Sequence, residues 1–188
     1  TAELPKASFL KIQATNQSDN LATIIDKGNQ VLEKINEAGL DLSKYHNQIQ
    51  FSITITDHYF PSIAKIRALK ILWQQILTAW NITNLSNCNI NTHIITNTDN
   101  ENSNKIKATT QAMSAIIAGV NRLYIHPSDS FKNENGTSFS RRIALNVQHL
   151  LQQESYLDRV IDPSAGSYFI ENLTNAIAEK AWTEFQNP

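Results

Sequence analysis

Hydrophobic and polar residues alternate along the chain in the pattern that predicts β-strands. Residues 50–56 alternate strictly, because Phe51, Ile53 and Ile55 fall on one face and hydroxyl side chains fall on the other. A three-residue apolar run at 168–170 predicts a further short, buried strand. The alternating or apolar segments that predict the main strands are residues 7–12, 50–56, 89–96 and 123–125.

Between these segments the apolar residues recur every three or four positions, which predicts amphipathic helices. Ser18, Asp57 and Asn172 are the expected N-cap residues of three of them, and Gly39 is the expected stop of the first. Pro61 is tolerated in a first helical turn. The predicted helices cover residues 18–39, 57–82, 105–118, 140–157 and 172–185.

Strands that alternate with helices predict βαβ units and a parallel sheet. A complete (β/α)8 barrel needs about 250 residues, whereas this chain has 188. The expected fold is therefore α/β, as a single domain over residues 1–188, and either an open parallel sheet or the terminal part of a barrel. Ser52, Thr54 and Thr56 put small polar groups on one strand face, where ordinary barrels have branched apolar residues. This face is either a polar path through a barrel or the solvent-exposed face of an open sheet.

Composition limits the classes of function. The hydrophobic content of 41% and charged content of 18% are typical of a globular protein, and the formal charge of −1 offers no electrostatic attraction to nucleic acid or to an anionic membrane. No apolar run approaches the roughly 20 residues that span a bilayer. The one cysteine, Cys88, fits a reducing compartment, so a cytoplasmic location is expected. The missing initiator methionine suggests a piece of a longer protein.

The most specific stretch begins at Ser140 and reads SRRIALNVQHLLQQESYLDRVIDPSAGSYFIENLT. It resembles the barrel domain of the methylmalonyl-CoA mutase family, whose line is approximately A-R-x-x-R-N-T-Q-x-x-L-Q-E-E-S-x-x-x-x-V-x-D-P-x-G-G-S-Y-Y-V-E-x-L-T. Residues 63–73 are similar to the family pattern I-A-K-L-R-A-x-R-x-L-W, and residues 38–41 to A-G-L-D. The residues in register are Asn146, Gln148, Leu151, Gln152, Glu154, Ser155, Val160, Asp162, Pro163, Gly166, Ser167, Tyr168, Glu171, Leu173 and Thr174.

The resemblance implies the later part of a (β/α)8 barrel in an adenosylcobalamin-dependent isomerase. Members of this family interconvert methylmalonyl-CoA and succinyl-CoA. Their cobalamin-binding domain carries a cobalt-ligating D-x-H-x-x-G motif, which has no counterpart in this sequence. The cofactor is therefore expected in the assembled enzyme and not on this chain, and no metal ligands are assigned here.

Positions at which the family binds substrate are partly changed. In the family pattern R-T-H-S-Q-T-S the arginine binds CoA, and here Asn91 replaces it while His93 matches the histidine. In G-H-T-Q-S-L-H-T-N the first histidine and the glutamine hold the acyl group, and here Asn121 and Leu123 stand in their places. Asn91 cannot make the charge-assisted phosphate contact of an arginine. The Leu123 side chain cannot form a hydrogen bond with the acyl group.

Two further residues complete the substrate-binding candidates that the resemblance implies. His126 matches the second histidine of the same pattern, and Gln148 matches the family glutamine of the following helix. Packing roles are the alternative for His93 and His126. No catalytic residue is assigned.

The matches lie in helices and in the 162–167 loop, whereas the mismatches lie at ligand positions. This pattern resembles the small, non-catalytic subunit of heterodimeric mutases, whose partner is a large catalytic subunit. One alternative is a catalytic subunit for another acyl-CoA, with specificity reset by Asn91, Asn121 and Leu123. Another is a free-standing half-barrel that binds a small molecule or self-associates through its open edges.

Overall fold

A computed structural model describes residues 10–13, 20–82, 88–96, 98–132, 135–157 and 159–187. In these residues, strands and helices alternate along the chain. The strands are β1 (Leu10–Gln13), β2 (Ile49–Thr54), β3 (Asn89–Ile94) and β4 (Arg122–Ile125). The α-helices are α1 (Leu21–Glu37), the short α2 (Leu42–Tyr45), α3 (Tyr59–Ala79), α4 (Glu101–Ile117), α5 (Ser138–Gln153) and α6 (Tyr168–Gln186), and a 3₁₀ turn covers His46–Gln48.

The four strands form one parallel sheet in the consecutive order β1-β2-β3-β4. Connections between parallel strands are right-handed, so a consecutive order places the crossover helices on one face of the sheet. This is the arrangement of a (β/α)8 barrel and differs from a doubly wound sheet, in which the strand order reverses. The α/β prediction is confirmed, and the sheet is consistent with part of a (β/α)8 barrel.

Strand register separates an apolar face from a polar face. Phe51 pairs with Ile90 on the apolar face, which packs against the helices and forms the core with α1 and α3. The opposite face, called the polar face below, has hydrophilic side chains on every strand. Its residues are Lys11, Gln13, Gln50, Ser52, Thr54, Asn89, Asn91, His93, Arg122 and Tyr124.

Several predicted helix ends are wrong by a few residues. Helix α1 begins at Leu21 after Asn20, and the predicted cap Ser18 lies outside the described residues. Helix α3 begins at Tyr59 after His58, because the Asp57 carboxylate is bonded to Lys107 and Gln111 instead of to the helix. It ends at Ala79, short of the predicted residue 82.

Two other features of these helices match the sequence prediction. Pro61 lies in the first turn of α3. Gly39 follows α1 with a φ of 68°, a left-handed conformation that ends a helix at little cost only for glycine.

The predicted strand at 168–170 is wrong, because these residues form the first turn of α6. Ser167 is the N-cap, so Asn172 lies inside the helix and not at its cap. Tyr168 is 88% exposed and Phe169 is also exposed, whereas Ile170 is buried. One buried residue in a turn is typical of a surface helix.

Helix α4 buries a different face from the one that its large apolar residues predict. The sequence predicts a face of Ile106, Met113, Ile116 and Ile117, yet Ile106 is 71% exposed and the other three are only partly buried. The fully buried positions are mainly small or polar, and the helix starts at Glu101 because Asn100 caps it. The residues buried along α4 are Asn104, Ala108, Gln111, Ala112, Ser114 and Ala115.

Candidate functional site

Two histidines and a tyrosine lie together where β3 and β4 end on the polar face. His93 and Tyr124 are register partners, with ring centroids 5.9 Å apart. His126 follows β4 directly, and its ring centroid lies 6.0 Å from that of His93 and 4.8 Å from that of Tyr124. His93 and His126 are called the histidine pair below. Carboxyl ends of strands are where barrel proteins build their sites.

Both members of the histidine pair are half-buried, and their environment favours the neutral imidazole. Burial lowers the pKa of His93 below its ordinary value of 6.5, and the positive charge of Lys11 lowers it further. Burial also lowers the pKa of His126, with a further contribution from His93. At neutral pH both rings therefore offer one hydrogen-bond donor and one acceptor.

Asn91 lies in the middle of the polar face, and Arg122 is its neighbour on β4. Asn91 pairs in register with Ser52 on one side and with Arg122 on the other. Register partners on adjacent strands point to the same face, about 5 Å apart. Arg122 is thus the register partner of the position at which the resemblance expects an arginine. Sequence patterns do not identify Arg122, because its position beside Asn91 depends on the pairing of β3 with β4.

Three of the six candidate residues lie away from Asn91, His93 and His126. These three are Asn121, Leu123 and Gln148. The Asn121 side-chain oxygen accepts a hydrogen bond of 2.8 Å from the Ile90 backbone N–H, and the Asn121 N–H donates to the Ile90 carbonyl at 2.9 Å. Asn121 therefore links β3 to the start of β4, at the end of the sheet opposite the histidine pair. Leu123 pairs with Thr92 away from the polar face. The three residues line a groove of about 220 Å³ beside α5.

The two most specific sequence motifs meet at one ion cluster on the helical side. Arg67 of α3 binds Asp162, and it donates to the Ser164 hydroxyl at 3.1 Å and to the Glu171 carboxylate at 2.7 Å. Glu171 also accepts a hydrogen bond from the Gly166 N–H at 3.2 Å. These motif residues hold α6 and the 162–167 loop against α3. Their role in this structure is architectural.

A larger groove of about 540 Å³ lies beside this cluster, and Arg67, Lys70 and Cys88 are among the residues that line it. The Lys70 ammonium donates to the carbonyls of Ala118 and Gly119 at 2.8 and 2.6 Å, which caps the end of α4. Cys88 is buried, and burial raises its pKa to about 12. A thiol in this environment is a poor nucleophile.

The described residues contain no group of three or more histidine, cysteine or acidic side chains that could hold a metal ion. The cobalt-ligating motif D-x-H-x-x-G of the family does not occur in this sequence. Asp57, the neighbour of His58, is bonded to Lys107 and Gln111.

No helix in the described part of the chain is both long enough and apolar enough to cross a membrane.

Parallel strands in consecutive order, with helices on one face and a polar opposite face, define an α/β protein of the barrel type. The family model described as methylmalonyl-CoA mutase matches residues 11–187. The chain therefore belongs to the methylmalonyl-CoA mutase family, and the resemblance found in its motifs is confirmed.

Individual relatives include both kinds of mutase subunit. The chain is 38% identical to the methylmalonyl-CoA mutase small subunit of Porphyromonas gingivalis, over 97% of this chain and 32% of that protein. It is 31% identical to the probable methylmalonyl-CoA mutase small subunit of Mycobacterium bovis, over 95% of this chain and 30% of that protein. The large subunit of Porphyromonas gingivalis is 33% identical over 96% of this chain and 27% of its own length. The chain thus spans about a third or less of these relatives.

Proposed function

We propose that this chain is the later part of the barrel domain of a methylmalonyl-CoA mutase small subunit, with residues 1–188 in one domain. The intact small subunit pairs with a large catalytic subunit in the cytoplasm. The large subunit carries adenosylcobalamin, which supplies the radical chemistry. This subunit interconverts methylmalonyl-CoA and succinyl-CoA. This chain contributes to the supporting barrel and binds no cobalamin itself.

The observation that carries the proposal is the loss of ligand-binding side chains from a fold whose structural motifs remain. Leu123 cannot hydrogen-bond a thioester oxygen, and the Asn121 side-chain oxygen is occupied by the Ile90 backbone. A radical rearrangement requires a substrate that is held and oriented, and Asn121 and Leu123 replace both the histidine and the glutamine that hold the acyl group in the family pattern, so we expect no catalysis by this chain alone. The Arg67 side chain, in contrast, binds Asp162, Ser164 and Glu171 of the motif that contains the 162–167 loop.

An activity assay tests this proposal on the intact protein that contains the chain. The purified protein alone, supplied with adenosylcobalamin and methylmalonyl-CoA, is expected to form no succinyl-CoA. Addition of the large subunit is expected to give activity. Turnover by the isolated protein contradicts the proposal.

The polar face favours a second candidate, an acyl-CoA-binding subunit with altered specificity. Lys11 and Arg122 are on this face, and Asn91 lies beside Arg122. An anionic, elongated ligand such as an acyl-CoA suits such a surface. Calorimetric titration with several CoA esters tests this candidate. Saturable binding that Arg122→Met weakens supports it, whereas the absence of binding heat for every ester excludes it.

The open edges of the sheet favour a third candidate, a self-associating half-barrel. Among the described strands, β1 and β4 each pair with only one neighbour. Unpaired edges attract other strands. Sedimentation of the 188-residue chain over a concentration series tests this candidate, and a monomer at every concentration excludes it.

A further inference from the structure

Lys70 lies in the middle of α3, and its side-chain nitrogen has two neutral hydrogen-bond partners. The Nζ atom donates to the Ala118 carbonyl at 2.8 Å and to the Gly119 carbonyl at 2.6 Å. A Cβ atom at position 119 would lie 2.8 Å from this nitrogen, so the absence of a side chain at Gly119 lets the nitrogen approach the carbonyls. The family pattern for residues 63–73 has an arginine at position 70, whereas this chain has a primary amine.

The surroundings of Lys70 favour the neutral amine over the ammonium. Partial burial lowers the pKa of Lys70 below its ordinary value of 10.5, and the Arg67 cation also lowers this pKa. A charged Cys88 or Asp162 would raise it. However, burial raises the pKa of the Cys88 thiol to about 12, so the thiol is uncharged at neutral pH. The Asp162 carboxylate is bound by Arg67.

The two carbonyls leave the nucleophilic electron pair of the Lys70 amine free. A neutral primary amine has two N–H bonds and one lone pair, whereas an ammonium has three N–H bonds. When both N–H bonds donate to Ala118 and Gly119, tetrahedral geometry directs the lone pair away from both carbonyls. Lysine amines that are desolvated or lie beside another cation are the ones that proteins use to bind carbonyl compounds covalently. Lys70 meets both conditions.

The groove of about 540 Å³ that Lys70 lines has the size of a small-molecule site, and it is called the Lys70 groove below. Arg67 also lines it, but this cation is bound by the carboxylates of Asp162 and Glu171 and offers no net positive charge to an anion. The groove therefore favours a neutral, mainly apolar ligand. Its apolar lining residues are Ile71, Ile116, Val120, Leu157, Val160 and Ile161.

We propose that Lys70 forms a Schiff base with a small, neutral aldehyde that binds in the Lys70 groove. The amine nitrogen attacks the carbonyl carbon, and the resulting carbinolamine takes up one proton and loses one molecule of water. The product is an iminium ion, in which the nitrogen keeps one N–H that can still donate to a carbonyl of Ala118 or Gly119. The reaction consumes no oxidant or reductant, and it does not depend on the subunit assignment.

Reductive trapping on the intact protein tests the proposal. Butanal is the neutral probe, and glyoxylate is the anionic aldehyde for comparison. Cyanoborohydride converts each imine into a stable secondary amine, and mass spectrometry of the peptides gives the modified fraction of each lysine. At about pH 7.5, butanal is expected to modify Lys70 at least about threefold faster than Lys180, because burial favours the neutral amine. Lys180 is the reference because its side chain is 79% exposed. Glyoxylate is expected to show no preference for Lys70.

Unfolding and a conservative variant separate the site from ordinary lysine chemistry. In denaturing urea the preference for Lys70 is expected to disappear, because it depends on the fold. The rate of Lys70 modification is expected to level off at a lower pH in the folded protein than in urea, since burial lowers its pKa. Lys70→Arg keeps donors for both carbonyls but forms no imine, so this variant is expected to fold and to carry no adduct at position 70.

Three results overturn the proposal. They are a rate at Lys70 with butanal that does not exceed the rate at Lys180, a preference for Lys70 that persists in urea, and a preference of Lys70 for glyoxylate over butanal. Circular dichroism of Lys70→Arg establishes that the fold is retained. The experiment uses no large subunit, CoA ester or cobalamin, so its failure leaves the subunit proposal intact.

Discussion

Arg67 binds residues that lie far from it along the chain. Its sequence separation is 95 residues from Asp162 and 104 residues from Glu171. Its side chain is only 13% exposed, whereas Asp162 and Glu171 are 40% and 38% exposed. The Arg67 cation is thus largely desolvated, whereas its two partners remain partly hydrated. Removal of Arg67 therefore lowers the free energy of unfolding mainly through the lost hydrogen bonds and the loosened 162–167 loop. This explains why two distant motifs carry the family resemblance together.

Arg67→Met is expected to destabilise the protein by about 1–3 kcal/mol, because up to three side-chain contacts of α3 with α6 and its preceding loop are lost. The partially exposed carboxylates keep this value below the cost of breaking a fully buried pair. Urea unfolding measures the difference. Lys180→Met removes an exposed cation on α6 and is expected to change stability by less than about 0.5 kcal/mol. Equal effects of the two variants contradict this account of the cluster.

Asp129 is buried and accepts hydrogen bonds from the Thr137 N–H and the Ser140 hydroxyl at the start of α5. Burial alone raises the pKa of this carboxyl, but hydrogen bonds from Ser140 and Thr137 outweigh burial and lower the pKa to about 2 from the ordinary 3.8. A carboxyl group whose pKa is lower in the folded state than in the unfolded state stabilises the fold at pH values above the unfolded-state pKa. This stabilisation is lost as the pH falls toward the folded-state pKa.

The free energy of unfolding is therefore expected to fall between about pH 4 and about pH 2, with a contribution that Asp129→Asn removes. Urea titrations at several pH values measure this slope for the wild type and the variant. Asp99→Asn, in an exposed loop, is the matched control and should keep the wild-type slope. An unchanged slope in Asp129→Asn rules out a depressed pKa at this residue.

At the scale of elements, the strands were predictable because their side chains alternate and their faces differ in polarity. The alternation of residues 50–56 and 89–96 predicts β2 and β3 correctly. Each strand ends two residues before its predicted end, β2 at Thr54 and β3 at Ile94. His93 and His126 were predicted singly. That they lie 6.0 Å apart depends on the register of β3 with β4, as does the position of Arg122 beside Asn91. Sequence patterns do not encode that register.

The helix ends and the face of α4 were not predictable from local patterns, because tertiary contacts compete with them. Asp57 is a favourable cap in isolation, yet Lys107 and Gln111 bind its carboxylate. The apolar run at 168–170 is equally compatible with a strand, and the interaction of Glu171 with Arg67 at the first turn favours the helix. In α4 the close approach of neighbouring elements selects alanines and leaves Ile106 exposed.

Close packing also explains why glycine occurs in the middle of α1. A Cβ atom at Gly28 would lie 2.7 Å from a ring carbon of Trp73 and 3.3 Å from Phe51. These rings are buried and pack edge to face, with centroids 4.9 Å apart, so neither can move freely. The absence of a side chain lets α1 approach the sheet and α3.

Gly28→Ala is expected to destabilise the protein by about 1–3 kcal/mol through overpacking. This outcome opposes helix propensity, which favours alanine by about 1 kcal/mol. Thermal and urea unfolding measure the change. Thr23→Ala, at an exposed position of the same helix, is the control and should be neutral within about 0.5 kcal/mol. A stabilised Gly28→Ala variant means that α1 packs less closely than described.

At the scale of the whole molecule, the described chain is a barrel-type unit with unpaired strands at both edges of its sheet. It spans about a third or less of its mutase relatives. Open edges present unpaired backbone groups with which further strands can pair. The intact protein is therefore the proper object for testing the subunit proposal.

The most direct test is co-purification of the intact protein with a mutase large subunit, with corrinoid absorbance and subunit ratio measured on the same sample. The subunit proposal predicts a one-to-one complex in which corrinoid is present, and no corrinoid on the protein purified alone. A protein that stays separate from every large subunit offered, or that binds corrinoid and turns over substrate by itself, contradicts the proposal.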